Sequence, residues 1–189
     1  MTPHRKAPTH DKRVQRTRAA VLGAFASLVT KRPYDAVRMD DIVKRSGVGR
    51  STLYEHFSSK DAILEVSLRG PFAILADAIL PADNTSRLTG LLEHFWFNRR
   101  LGLILFAGTP RRKCTAVLVE HIEHRLAPKR AGGRGCLIIP TRLAATQLAE
   151  ALLTPVVAWL SEESRCPAHT LARALRTTGM ALAEALRPR

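Results

Sequence analysis

At 189 residues, 46% hydrophobic and 24% charged, the chain can bury a substantial core and stay soluble, with room for one small domain and a larger helical one. Its net charge of +14 divides unevenly: +7 over residues 1–34, zero over 35–70 and +7 over 71–189. Three cysteines without C-x-x-C spacing, an N-terminus without an apolar h-region and no run near 18 apolar residues exclude a disulfide framework, a signal peptide and a membrane span; the expected setting is cytoplasmic.

Residues 1–10 hold two prolines and no apolar period, so they are expected to form a disordered basic tail. From residue 11 to about 30, Val14, Val21, Leu22, Phe25 and Leu28 recur at helical spacing, with Lys12, Arg13 and Arg16 at the start and Pro33 beyond the end. A basic segment of this kind suits a polyanionic partner. Basicity in the second half is less telling, because an Arg-rich composition has other sources. Tyr34 and Val37 are expected in the core.

Met39 to Lys60 reads as two short helices around a tight corner. Ile42 and Val43 give the first an apolar face, and Gly47 supplies the positive φ that the corner requires. Leu53 and Phe57, four apart, line the inner face of the second. Its outward positions are Arg50, Ser51, Thr52, Tyr54 and His56, whose side chains reach phosphates and base edges in a major groove. This is the pattern of a helix-turn-helix.

The segment Gly47-Val-Gly-Arg-Ser-Thr-Leu-Tyr-Glu-His-Phe-Ser-Ser-Lys60 resembles the signature of TetR/AcrR-type transcriptional regulators, and the likeness extends over residues 12 to 65. Two positions depart from it: Val43 stands where a small Ala is usual, and Arg38 stands where a Thr or Ser commonly caps the first helix. Arg38 has no side-chain oxygen to cap with, although Asp40 and Asp41 favour that terminus electrostatically; it is a candidate phosphate contact. The resemblance implies phosphate contacts from Tyr54 and Lys60. The expected DNA-binding set is therefore Arg38, Arg50, Ser51, Thr52, Tyr54, His56 and Lys60, with Ser51 and Thr52 best placed for bases.

Asp61 to Leu68 continues as a helix, with Ser58 and Asp61 as a capping pair. Gly70-Pro71 interrupts the pattern, which places the helix-turn-helix domain at 11–70 and a helical ligand-binding and dimerisation domain at 71–189. Tilting of the linking helix would change the separation of two recognition helices in a dimer. Helical patterns follow at Phe72 to Leu80, Arg87 to Asn98, Leu101 to Phe106 and Cys114 to Leu126. Pro128 to Gly135 is a basic loop, and long helices are expected at Pro140 to Ser161 and Ala168 to Leu186. No alternating strand pattern occurs, so the fold class is all-α.

Leu143, Leu148, Leu152, Val156 and Trp159 on the first long helix, and Leu171, Leu175, Gly179, Leu182 and Leu186 on the second, form stripes suited to a four-helix homodimer interface or to the subunit's own core. Pro155 is expected to kink the first. Phe95, Trp96, Phe106, Trp159 and Met180 are the candidate lining of a site for an apolar or amphipathic small molecule, such as the resemblance implies. Glu120, His121 and His124 have helical metal-ligand spacing without a clear further ligand, so no metal site is expected. Arg111-Arg-Lys113 before Cys114 is a sequence setting that lowers a thiol pKa, but a packed thiol is the expected reading. No nucleophile motif or phosphate-cradling loop is present, so neither catalysis nor a cofactor is expected.

The sequence thus points to a dimeric, sequence-specific DNA-binding regulator. The resemblance implies a repressor, released from a palindromic operator by a small ligand. The competing readings are a non-specific basic nucleic-acid-binding protein and an enzyme on a helical scaffold.

Overall fold

The structure is a computed structural model that describes residues 8–127, 137–163 and 165–188. Residues 1–7 of the expected tail and the expected loop from Pro128 to Gly135 lie outside the described residues. Among those described, helices connected by turns account for the whole secondary structure, as the absence of period-two patterning implies. The chain divides into two units, Met1–Leu64 and Glu65–Arg189.

In the first unit, α1 (Pro8–Val29) starts on a proline, whose missing N–H costs nothing in a first turn. It begins inside the segment expected to be a tail. Val21, Phe25, Leu28 and Val29 are buried, and α1 packs on α2 (Met39–Ser46). A 3-10 turn at Tyr34–Ala36 carries the buried Tyr34 ring, edge-on to Phe25 at 6.2 Å. The Tyr34 hydroxyl donates to the Asp61 carboxylate.

The third helix, α3 (Arg50–His56), follows Gly47 and is itself followed by α4 (Lys60–Ala76). Ser59, not Ser58, caps α4: its Oγ accepts the Ala62 N–H at 3.1 Å. The cap falls there because α4 begins at Lys60, which makes Ser59 the residue preceding the first turn.

Helix α4 runs through Gly70-Pro71, where a break was expected. Proline in a helix costs roughly 3 kcal/mol. Leu64, Leu68, Phe72 and Leu75 are all buried at continuous helical spacing, and each buried side chain returns about 1.5–3 kcal/mol. An uninterrupted apolar stripe therefore outweighs the lost hydrogen bond.

The second unit continues with a 3-10 turn at Asp77–Ile79, then α5 (Thr85–Phe97), α6 (Arg99–Phe106), α7 (Arg111–Leu126), α8 (Thr141–Leu160) and α9 (Ala168–Ala185). Helix α5 starts before Arg87 because the Asp83 carboxylate accepts both the N–H and the hydroxyl of Thr85. Those hydrogen bonds hold the Asp83 pKa below its ordinary value. The strongest packing is α7 on α8 and α5 on α9. Helix α9 packs on the turn at residues 77–79, where a Cβ at Gly179 would meet the Ala78 carbonyl oxygen at 3.4 Å, ordinary contact. Arg125 pins the same turn, donating through Nε to Asp77 at 2.7 Å and through Nη2 to the Ala73 carbonyl at 2.7 Å.

The two long helices correct one expectation. Leu148, Leu152, Val156 and Trp159 of α8, and Leu171, Leu175 and Gly179 of α9, are buried within the chain, so these stripes are its own core. The faces left open carry Leu143 (56% exposed), Gln147 and Thr154 on α8, and Ala174, Thr178 and Ala181 on α9. By length and composition α8 is apolar enough to cross a membrane, but its large apolar residues, Leu143 apart, are mostly spent on packing inside the unit.

Candidate nucleic-acid interface and ligand groove

The corner between α2 and α3 forms as the sequence requires. Gly47 has φ 67°, in the left-handed region, and its N–H closes α2 on the Val43 carbonyl at 3.1 Å. A residue with a Cβ would be strained there. At the start of α2 the Asp41 carboxylate accepts the Arg38 backbone N–H at 3.0 Å and pairs with Arg32 at 3.1 Å. The backbone hydrogen bond is the main cause of a lowered Asp41 pKa, with Arg32 adding to it. Asp41 thus supplies the capping contact that the Arg38 side chain cannot make, and Arg38 stays exposed.

Helix α3 buries Leu53 on its inner side, and Phe57 closes the helix from the position just after it. Arg50, Ser51, Tyr54 and Glu55 are exposed, while Thr52 and His56 are half-buried. The Arg50 guanidinium pairs with Asp40 at 3.2 Å and lies 5.9 Å from the centre of the Tyr54 ring. Such an exposed pair is weak and exchanges readily for a phosphate.

Lys60 occupies a different setting from the other candidates. Its Nζ donates to the Tyr34 carbonyl at 2.7 Å and sits 4.3 Å from that ring's centre. This ammonium ties the start of α4 to the Tyr34 turn.

Arg13, Val14 and Thr17 of α1 face Thr52, Glu55 and His56 of α3 across a cleft of about 310 Å³. The cleft brings a cation from the first helix beside the recognition helix. Arg13 and Thr17 were absent from the expected contact set. Helical spacing from Val14 to Val21 marks the face of α1 but not which helix it meets.

In the second unit the five expected ligand-lining residues separate into three places. Phe95 and Phe106 are buried with Phe72, the ring centres 5.3 and 5.6 Å apart in sequence, and they fill the core. Met180 lies on the side of α9, half-buried, with Arg176 Nη2 3.8 Å from its sulfur. Trp96 and Trp159 do come together, with ring centres 4.8 Å apart, on the wall of an open groove of about 750 Å³. Phe97, Glu93, Glu162 and Pro167 complete much of that wall. The Trp159 indole N–H donates to the Cys166 carbonyl at 2.8 Å, fixing the ring against the α8–α9 connection.

Phe97, 88% exposed, and Trp96 are exposed for a geometric reason. Three consecutive aromatics, Phe95-Trp-Phe97, cannot all face one side of a helix that turns 100° per residue. Phe95 takes the core.

Two further side-chain groups singled out in the sequence lie elsewhere in the second unit. Cys114 is buried, its thiol donates to the Leu105 carbonyl at 3.3 Å, and burial pushes its pKa up to about 12. Arg112 and Lys113 are exposed, so of the preceding basic run only Arg111 opposes that rise, weakly. His121 and His124 line a polar cleft of about 320 Å³ with Glu65, Arg69 and Glu120. Partial burial, then the Arg125 and Arg69 charges, hold the His121 pKa below its ordinary value. Among the described residues no three metal-ligating side chains converge.

The family model described as bacterial regulatory proteins, tetR family, matches residues 21–66. The HTH-type transcriptional activator FasR of Mycolicibacterium smegmatis is 33% identical over 84 residues, 42% of this chain and 38% of that protein. The negative transcriptional regulator IcaR of the Staphylococcus aureus icaADBC biofilm operon is 35% identical over 60 residues, 32% of each chain. The chain thus spans less than half the length of these relatives in its matched part. A TetR transcriptional regulator from Streptococcus agalactiae shares the fold with a TM-score of 0.57 and 22% identity, over 90% of this chain and 97% of that one. Residues 21–66 are thus similar in sequence to the tetR family of bacterial regulatory proteins, and most of the chain shares the fold of the Streptococcus agalactiae regulator.

Proposed function

We propose that this protein is a homodimeric, sequence-specific DNA-binding transcriptional regulator whose helical domain answers to a small molecule. The observation that carries the reading is α3 itself: one side is committed to Leu53, while Arg50, Ser51, Thr52 and Tyr54 stand on or near the open side. A seven-residue helix exposing short hydroxyls and one arginine is a poor packing element and a suitable reader of a major groove. The basic first helix supplies the sequence-independent part of the affinity.

Dimerisation is assigned to the open faces of α8 and α9, through Leu143, Thr154, Ala174, Thr178 and Ala181, because the larger stripes are already buried. A ligand that prefers one conformation of the dimer changes DNA affinity by that preference and no more. We assign repression as the default sign; of the two relatives, IcaR is named a negative regulator and FasR an activator. The non-specific alternative predicts binding that follows charge alone, and a seven-residue reader with a specific corner has no role in it.

The test separates two kinds of contact. Thr52→Ala is expected to relax preference at one base position per half-site, at a cost of about 1–3 kcal/mol there. Tyr54→Phe is expected to weaken binding to all sequences alike. Site selection and competition with random DNA at fixed salt read both effects. Equal losses on specific and random DNA for both variants would reject the role of α3 as reader.

A further inference from the structure

Asp40 and Asp41 are adjacent acids in the first turn of α2, and the structure gives them separate partners. Asp41 accepts the Arg38 backbone N–H and pairs with Arg32, so its carboxylate serves the helix terminus. Asp40 makes no capping contact among the described residues. Its carboxylate reaches across the corner to Arg50, the first residue of α3.

An acid in that place needs a reason. Arg50 stands on the open side of α3, and a carboxylate 3.2 Å from its guanidinium shares the surface that meets DNA. Against a polyanion such a charge lowers affinity, and like-charge juxtaposition is a means by which interfaces refuse the wrong partner.

Two fates are open to Arg50 on DNA. The guanidinium is a planar fork of N–H donors. Asp40 engages it through Nη2, and the Tyr54 ring centre lies 5.9 Å from its central carbon, so donors remain for a further partner. A guanine accepts from such a fork through its two major-groove acceptors and carries no charge, so Asp40 can stay in place. A phosphate takes the arginine at the expense of the pair and brings a negative charge beside the carboxylate. The pair is too exposed to prevent that exchange, but the exchange leaves Asp40 unpaired next to the backbone.

We infer that Asp40 is a specificity-determining residue of the reading head: it presents Arg50 to one guanine in each half-site and penalises the use of Arg50 on phosphate. The inference rests on the regulator reading given above.

The test repeats site selection, and titrates random-sequence DNA at one fixed salt, with full-length Asp40→Asn, Arg50→Lys and the double variant. Arg50→Lys keeps the charge and loses the fork, so it is expected to erase a guanine preference at one position per half-site. Asp40→Asn is expected to lower the preference at that same position from about tenfold to about threefold or less, while raising affinity for random DNA roughly threefold to tenfold. The double variant should lose nothing further at that position, because the two side chains act there as one unit. Asp40→Glu, which keeps the carboxylate, should recover part of the preference.

A carboxylate that acts through charge alone would, on removal, raise binding to every sequence and leave each base preference as it was; that result overturns the inference. So does a loss of preference at a position that Arg50→Lys leaves untouched. A wild-type protein that selects no motif rejects the regulator reading and this inference with it. A wild-type motif unchanged by Asp40→Asn rejects this inference alone.

Discussion

Phe57→Ala is expected to unfold the DNA-reading unit. Phe57 is among the largest fully buried side chains of the chain, and truncating a buried phenylalanine costs about 3–5 kcal/mol. The unit spans Met1–Leu64, for which a total stability of roughly 3–10 kcal/mol is typical. The loss therefore takes up much or all of what holds α3 in place. Phe57 directly follows α3 and its N–H caps the helix on the Leu53 carbonyl, so the recognition surface goes with the packing. Far-UV circular dichroism in a urea series should show an early transition, with DNA binding lost before the second unit unfolds. Phe57→Leu, which keeps most of the volume, should retain binding at a smaller loss of stability. A Phe57→Ala protein with wild-type urea response would contradict the packing described for α3.

Asp77→Ala is the second large effect, and it falls on the other unit. Asp77 accepts from Arg125 Nε at 2.7 Å and Nη2 at 2.6 Å, and the two side chains are only 23% and 17% exposed. Removing the acid leaves a largely buried guanidinium without its counter-charge. That error costs about 3–5 kcal/mol for a fully buried pair, and toward the lower figure here. Arg125 also donates to the Ala73 and His121 carbonyls, so part of its fixation survives. Asp77→Asn keeps an acceptor and should recover a portion of the loss. Arg87, 4.0 Å from the same carboxylate and mostly exposed, should cost almost nothing when replaced by alanine. If Asp77→Ala and Arg87→Ala shift the urea midpoint equally, the burial argument fails.

The reading head was the most legible part of the chain because its constraints are local. A corner glycine needs a positive φ, and an apolar pair four apart needs an inner face; both can be read without knowing the partner helix. Gly47, Leu53 and Phe57 follow from spacing alone. The Tyr34 contact of Lys60 did not. The resemblance points Lys60 at phosphate; its Nζ also donates to the Tyr34 carbonyl, a contact between residues 26 apart that takes one of the ammonium's three donors. Long-range partners of this kind leave no periodic trace.

The helical unit was legible in its elements and not in its faces. Helical spacing places Leu148, Leu152 and Val156 on one side of α8, but the same spacing serves a dimer seam and an internal core equally well. The structure assigns them to the core. The aromatic set shows the same limit: Phe95 and Trp96 are neighbours in sequence, yet one fills the core and the other walls the groove. Gly70-Pro71 misleads for a related reason, since local propensity signals a break while Leu68 and Phe72 are buried on either side of it. At Cys114 the adjacent cations suggested a lowered thiol pKa, and burial decides the opposite.

The most direct measurement is selection of binding sites from a random double-stranded DNA library with the purified protein at near-physiological salt. A two-fold symmetric motif is predicted, its half-sites about one turn of DNA apart, with affinity well above that for random sequence. Recovery without a motif, together with binding that falls steeply with salt for every sequence alike, would contradict the assignment of α3 as a sequence reader.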